Sequence, residues 1–186
     1  MIIVERDWKG WSDLPKPREG NTGKYQKYQD YLYKLVSELK PSRILEVGFN
    51  AGHSCCCFFN AYPETKITSF DICRHGTEKP GVESLQKNGF DIELIEGSSE
   101  KTIPTYFNDN SDTYDFIFID GCHHGEIPRH DMENTIPRLN INGIVVVDDF
   151  NLGSVGKCFK SIDWSAFKEE SVPKIEKSIK VMRKVK

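Results

Sequence analysis

A chain of 186 residues with 38% hydrophobic and 28% charged positions has the make-up of one ordinary soluble domain, long enough to bury a full core without staples. Its formal net charge of -3 lacks the basic excess of a nucleic-acid binder. No apolar run is long enough for a signal peptide or a membrane span, so a cytoplasmic protein with no nucleic-acid or membrane partner is expected.

Residues 1–23, with Trp8, Gly10, Trp11, Pro15, Pro17 and Gly20, read as an irregular arm ahead of a domain expected over 24–186. The two tryptophans must bury on that domain or on a partner, and the arm together with the short length allows a homodimer. From 24 to 39 the apolar positions Tyr25, Tyr28, Leu32, Leu35, Val36 and Leu39 recur at helical spacing, and Pro41 closes the helix. A buried strand is expected over 43–47, a tight turn over 48–52, and a helix over 53–62 stopped by Pro63. A second strand over 67–70 ends at Asp71. A helix near 81–88 and a third strand over 92–95 follow, the strand ending at Gly97. After a short helix over 100–107 comes a strong strand signal over 114–119, ending at Asp120. A helix over 126–139, a turn over 140–143 and a buried strand over 144–147 lead to Asp148 and Asp149. A helix over 156–162 and two strands over 167–172 and 179–185, joined by a turn near Pro173, complete the chain. The basic stretch 174–186 reads as a solvated edge or face rather than a phosphate-binding surface.

Cys55, Cys56, Cys57, Cys73, Cys122 and Cys158 form neither a disulfide framework nor a zinc pattern. Adjacent residues diverge on a helix, and no Cys-x-x-Cys pair occurs. Free, mostly buried thiols are expected, in keeping with a reducing compartment.

Strands alternating with helices predict an α/β fold, a parallel sheet with helices on both faces. Right-handed crossovers put every strand's C-terminal end on one edge, where such sheets bind ligands. Glu46, Asp71, Ser98, Ser99, Asp120, Asp148 and Asp149 all follow strands and are expected to gather on that rim.

The turn Glu46-x-Gly48-x-x-x-Gly52 does not have the Gly-x-Gly-x-x-Gly spacing of dinucleotide folds. It resembles motif I of class I methyltransferases dependent on S-adenosylmethionine. That resemblance implies a Rossmann-like sheet of seven strands, mostly parallel with the last antiparallel. It implies S-adenosylmethionine as cofactor, held by Glu46, Gly48, Asn50, Gly52, Asp71, Ser98, Ser99 and Asp120. An acidic Asp71 can accept both hydrogen bonds of a ribose diol, or cap the segment that follows. Gly97-Ser98-Ser99 resembles the family's adenine-contacting turn, and either serine can equally cap a helix.

Asp120-Gly121-Cys122-His123, an acidic helix position at Asp131, and Asn142-Gly143 running into Asp148-Asp149 resemble the small-molecule O-methyltransferase branch that includes catechol and macrolide-sugar enzymes. Asn142 replaces the first glycine of that pattern. The resemblance runs from about Tyr25 to Asp149 and implies methyl transfer to a hydroxyl of a sugar, glycan or other small molecule. Asp120, Asp148 and Asp149 are expected to form a hard oxygen site for Mg²⁺ or Mn²⁺, which lowers a hydroxyl's pKa. The alternatives are a methyltransferase without metal, using His123 alone, and a module that binds S-adenosylmethionine or a nucleotide without turnover. His123 is the candidate general base with Asp120 beside it, because imidazole titrates near neutrality. His124 is its neighbour and substitute. Asp131 would orient His123 or the acceptor, or form a surface ion pair. His53 is expected to pack near the cofactor, and His130 to be a surface residue.

Overall fold

The computed structural model describes residues 5–17 and 22–186. The arm expected over 1–23 therefore lies partly outside the described residues. Its central part packs on the domain: Trp8 stacks on Tyr33 with centroids 5.5 Å apart, and Trp11 is buried edge-on to His53 at 4.9 Å. Lys9 donates its backbone N–H to Asn60 Oδ1 at 2.9 Å.

Seven strands form one sheet: β1 (Arg43–Val47), β2 (Lys66–Asp71), β3 (Asp91–Glu96), β4 (Tyr114–Ile119), β5 (Leu139–Val147), β6 (Phe167–Glu169) and β7 (Lys180–Lys184). Their spatial order is β3-β2-β1-β4-β5-β7-β6. The pairings among β1 to β5 are parallel, while β7 runs antiparallel to both β5 and β6. The expected sheet, with its reversed final strand, is what forms. Strand order reverses between β1 and β4, and such a switch point opens a crevice at the C-terminal edge.

Six α-helices cover the sheet: α1 (Gln26–Leu39), α2 (His53–Ala61), α3 (Glu78–Lys87), α4 (Ser99–Asp109), α5 (Ile127–Thr135) and α6 (Val155–Ser161). Side chains of a strand alternate between faces. Ile44, Phe116, Phe118, Ile144 and Val146 therefore join one core with Tyr28, Leu32 and Leu85 from the α1–α3 side. Leu45, Ile117, Ile119, Val145 and Val147 join the other, with Ile103, Met132 and Phe159 from the α4–α6 side. Helix α2 is almost wholly enclosed, which is why Cys55, Cys56 and Cys57 are buried free thiols; Cys158 is also buried and Cys122 is exposed.

Two boundaries differ from expectation for identifiable reasons. The helix expected to reach 139 stops at Thr135 and tightens into a 3-10 turn, Ile136–Arg138, because Pro137 has no N–H to continue the ladder. The turn expected over 140–143 is instead the start of β5, which carries a register irregularity opposite Tyr114 and Phe116. Asn142 takes up the bend with a left-handed φ of 68°. Asn140 is held by its Nδ2 donating to Asp115 Oδ1 at 2.8 Å.

Candidate active site

The backbone ladder extends one residue past several strands and fixes the rim. Gly48 N–H donates to Phe70 O at 2.8 Å, Asp120 N–H to Val47 O at 2.8 Å, Asp148 N–H to Ile119 O at 2.9 Å, and Gly97 N–H to Asp71 O at 2.8 Å. Above this rim opens a cleft of about 830 Å³, lined by Gly48, Asn50, Asp71, Ser98, Ser99, Asp120, His123 and Asp149 among others. Its size is that of a small-molecule site.

The turn after β1 uses three left-handed residues, Gly48 at φ 99°, Asn50 at φ 53° and Gly52 at φ 86°. Gly48 is also steric: a Cβ there would lie 2.1 Å from the Asp120 carbonyl oxygen. The turn can thus cross the exit of β4 only with glycine.

Glu46 lies under this turn and is fully buried, so it does not line the cleft. Strand alternation aims it at α2, where Ser54 Oγ, Cys55 Sγ and Ser69 Oγ all donate to its carboxylate. Burial pushes its carboxyl up to about 7, against those three donors and with Asp120 adding. In place of the ligand contact expected of it, Glu46 ties β1, β2 and α2 together beneath the loop. Asp71 does line the cleft, but its carboxylate already holds the loop: Oδ2 accepts from the N–H of Phe49 at 2.8 Å and of Asn50 at 2.9 Å, and Oδ1 from Cys73 N–H at 2.7 Å. The capping arrangement is therefore present: Oδ2 has both its lone pairs engaged, and Oδ1 keeps one site open. Next to it Ile72 is 55% exposed, an apolar surface at the cleft wall. Ser98 and Ser99 border the same end, at the start of α4.

At the other end His123 Nε2 stands 3.7 Å from Asp120 Oδ1 and 3.5 Å from Asp149 Oδ2 and makes no hydrogen bond. Asp120 chiefly, with Asp149, raises its pKa above the ordinary histidine value, against burial and Lys177. Gly153 buttresses it, since a Cβ there would lie 2.2 Å from His123 O. His124 is exposed and also lines the cleft. Asp131 is neither a partner of His123 nor a surface residue. It is buried beneath Gly121, and burial raises its carboxyl to about 6 against the lowering influence of Ser99. His53 lines the cleft beside Trp11, and burial lowers its pKa to about 4.

Asp148 departs most from expectation. It follows Val146 in the strand alternation and so faces α1, 2% exposed. Its Oδ2 accepts from Tyr28 Oη at 2.7 Å, and its Oδ1 from Asp149 N–H at 2.6 Å. Lys177 Nζ lies 3.3 Å from Asp148 Oδ2 and 2.6 Å from Asp149 Oδ1. Burial, with Asp120 and Asp149, pushes the Asp148 carboxyl above the usual carboxylate range, against Lys177 and Tyr28. Burial works to lower Lys177, yet Asp148, Asp120 and Asp149 outweigh it and hold the ammonium above the usual lysine range. Among the described residues the group with ligand atoms within 4.8 Å of one another is Asp120, His123 and Asp149. The expected trio of Asp120, Asp148 and Asp149 is not assembled as a ligand set.

Tyr28, Glu176 and Lys177 carried no signal of a site in the sequence. Tyr28 is one apolar position in a helical stripe, and Lys177 one of several lysines in a basic stretch. Glu176 caps α1, with Oε1 accepting from Lys27 N–H at 3.4 Å and Oε2 from Tyr28 N–H at 3.2 Å. The antiparallel return of β7 brings Glu176 and Lys177 to the rim, where the start of α1 brings Tyr28.

A family profile described as a methyltransferase domain matches residues 45–150, more than half of the chain and the whole span from Glu46 to Asp149. The chain belongs to this methyltransferase family. A search of curated proteins finds no match. Among solved structures, the methyltransferase is similar to an O-methyltransferase from Bacillus cereus in complex with S-adenosylhomocysteine (TM-score 0.74, 13% identity, 93% of this chain and 86% of that one). It is also similar to TomG of Streptomyces achromogenes, an O-methyltransferase of tomaymycin synthesis in complex with S-adenosylmethionine (0.70, 16%, 100% and 93%). A third likeness is CalS11, a TDP-rhamnose 3'-O-methyltransferase of calicheamicin biosynthesis (0.67, 20%, 83% and 76%). At these identities the likenesses establish the fold. Among the described residues no helix of the methyltransferase is long and apolar enough to cross a membrane.

Proposed function

We propose that this methyltransferase transfers a methyl group from S-adenosylmethionine to a hydroxyl of a sugar, glycan or other small molecule, with His123 as general base. The observation that carries the reading is the His123 imidazole, whose buried Nε2 has no hydrogen-bond partner between Asp120 and Asp149, on the wall of the same cleft as the glycine turn, Asp71 and Ser98. Those turn residues suit a nucleoside: the one open acceptor site on Asp71 Oδ1 for a ribose hydroxyl, and the apolar face of Ile72 for a base. S-adenosylmethionine supplies a methyl on a sulfonium, whose carbon–sulfur pair returns to sulfur as the acceptor oxygen takes the methyl. His123 takes the acceptor's proton, and Asp120 and Asp149 stabilise the imidazolium that results. The acceptor half is walled by Thr22, His124, Asn151, Glu176 and Ser178, hydrogen-bonding groups that match a polyhydroxyl compound better than a bare phenol.

The expected Mg²⁺ or Mn²⁺ site of three carboxylates does not fit the arrangement present. Asp148 is turned to Tyr28, and a lysine ammonium lies against both it and Asp149. The metal-free route through His123 is the one these contacts favour.

The test has two stages. Calorimetric titration with S-adenosylhomocysteine should give saturable binding that Asp71→Asn weakens at least tenfold. Methyl-labelled S-adenosylmethionine should then label TDP-rhamnose in the presence of EDTA, and catechol far less. Absence of nucleoside binding would end the reading, and labelling of catechol alone would end the sugar preference.

A further inference from the structure

The acceptor end of the cleft contains a cation supplied by the chain itself. Lys177 Nζ is 2.6 Å from Asp149 Oδ1 and 3.3 Å from Asp148 Oδ2, with its side chain only 16% exposed. The aromatic rings of Tyr25 and Tyr28 lie 5.9 and 6.0 Å from the same nitrogen. An ammonium placed between two carboxylates and beside two π faces is a held charge rather than a solvated one.

The backbone fixes it there from both sides. Glu176 accepts the N–H groups of Lys27 and Tyr28 at the start of α1, and Phe150 N–H donates to Ser178 O at 2.7 Å. Residues 176, 177 and 178 are therefore each tied to a different part of the rim. Asp149 is strained to match, with a left-handed φ of 50° in a non-glycine residue. Its two oxygens divide the work, Oδ1 facing Lys177 and Oδ2 facing His123.

We propose that Lys177 is the resident cation of this centre, standing between Asp148 and Asp149 in place of a divalent ion. The inference rests on the methyltransferase reading above and names the group that balances the acceptor-end carboxylates in it. A divalent ion binds carboxylate oxygens at about 2.0–2.6 Å. At Asp149 Oδ1 it would face an ammonium already at hydrogen-bond distance, so the two cations exclude each other. The trio Asp120, His123 and Asp149 is within reach of one ion, but one of its carboxylates is already neutralised by Lys177. The ammonium donates a hydrogen bond to Asp149 Oδ1 and holds Asp148 Oδ2 at ion-pair distance.

The experiment is a Mn²⁺ titration followed by electron paramagnetic resonance, on the parent chain and on Lys177→Met and Lys177→Arg. The parent and Lys177→Arg should bind Mn²⁺ no tighter than about 1 mM, and Lys177→Met should gain at least about tenfold, or about 1.4 kcal/mol. Micromolar Mn²⁺ binding by the parent, or equal affinities for the parent and Lys177→Met, overturns the proposal. Should Lys177→Met fail to fold, the parent and Lys177→Arg still decide it: weak binding by both supports the resident cation, and tight binding by the parent refutes it. Titration of the same samples with S-adenosylhomocysteine keeps the two ideas apart. Lost nucleoside binding defeats the methyltransferase reading, whereas the Mn²⁺ result judges Lys177.

Discussion

Replacing Gly48 by alanine separates the two reasons for a glycine there. The residue has φ 99°, and an added Cβ would meet Asp120 O at 2.1 Å, Asp120 C at 2.7 Å and Gly121 Cα at 3.1 Å. Left-handed backbone costs a residue with a Cβ about 1–2 kcal/mol. Forcing packed backbone apart adds about 1–3 kcal/mol, for a total of about 2–5 kcal/mol. In a domain of this size that lowers the melting temperature by roughly 4–20 °C. Gly76→Ala is the matched control: φ is 74°, but nothing lies within 4 Å of the added Cβ, so only the backbone term applies. The displaced atoms belong to the exit of β4, so Gly48→Ala should also weaken S-adenosylhomocysteine binding, which Gly76→Ala should leave alone. Differential scanning fluorimetry and calorimetric titration measure the two effects. Equal melting shifts for the two variants, with unchanged nucleoside affinity, would refute the steric argument.

Tyr28→Phe removes a buried donor to Asp148 and should cost about 1–3 kcal/mol, read as a lower melting temperature; a shift under ~1 °C would contradict the bond's role. Asp131, 1% exposed, has its carboxyl raised from 3.8 to about 6, so its stabilising contribution is complete below about pH 4 and lost as pH rises through 6. Relative to the parent, Asp131→Asn should therefore gain about 2–3 kcal/mol between pH 4 and pH 8 in urea melts, and a gap constant with pH would count against this. His123→Ala should slow turnover about a hundredfold or more while leaving S-adenosylhomocysteine affinity within about threefold. Because Asp120 and Asp149 raise the His123 pKa, activity of the parent should be lost on the acid side starting above the ordinary histidine value, and an acid limb below it would speak against His123 as the base.

Much of this architecture could be read before any coordinates. Each β-strand that ends in a short polar signature was visible, because an apolar run followed by Glu46, Asp71, Gly97, Asp120 or Asp148 has one simple parallel-sheet interpretation. Side-chain direction was less visible. That Glu46 and Asp148 turn under the rim while Asp71 and Asp149 face the cleft depends on register, where one residue reverses the face. The beginning of β5 was hidden because Asn140 and Asn142 look like turn residues, although Asp115 and a left-handed Asn142 keep the strand paired. Lys177 was illegible for a different reason. Its chemistry comes from a contact across 28 positions with Asp149, and Tyr28 meets Asp148 across 120. No local pattern encodes such distances.

The division of the cleft has a consequence for how the enzyme can diversify. On the proposed reading, strand-end turns within 46–120 form the nucleoside half, while the opposite wall is borrowed from the start of α1 and the hairpin preceding β7. Glu176, Lys177 and Ser178 act as rivets joining that wall to the frame. Substitutions at 151–175 and at His124 can therefore remodel what enters the acceptor half, provided the rivets stay. A graft of the hairpin from another member would have to bring its own fastenings.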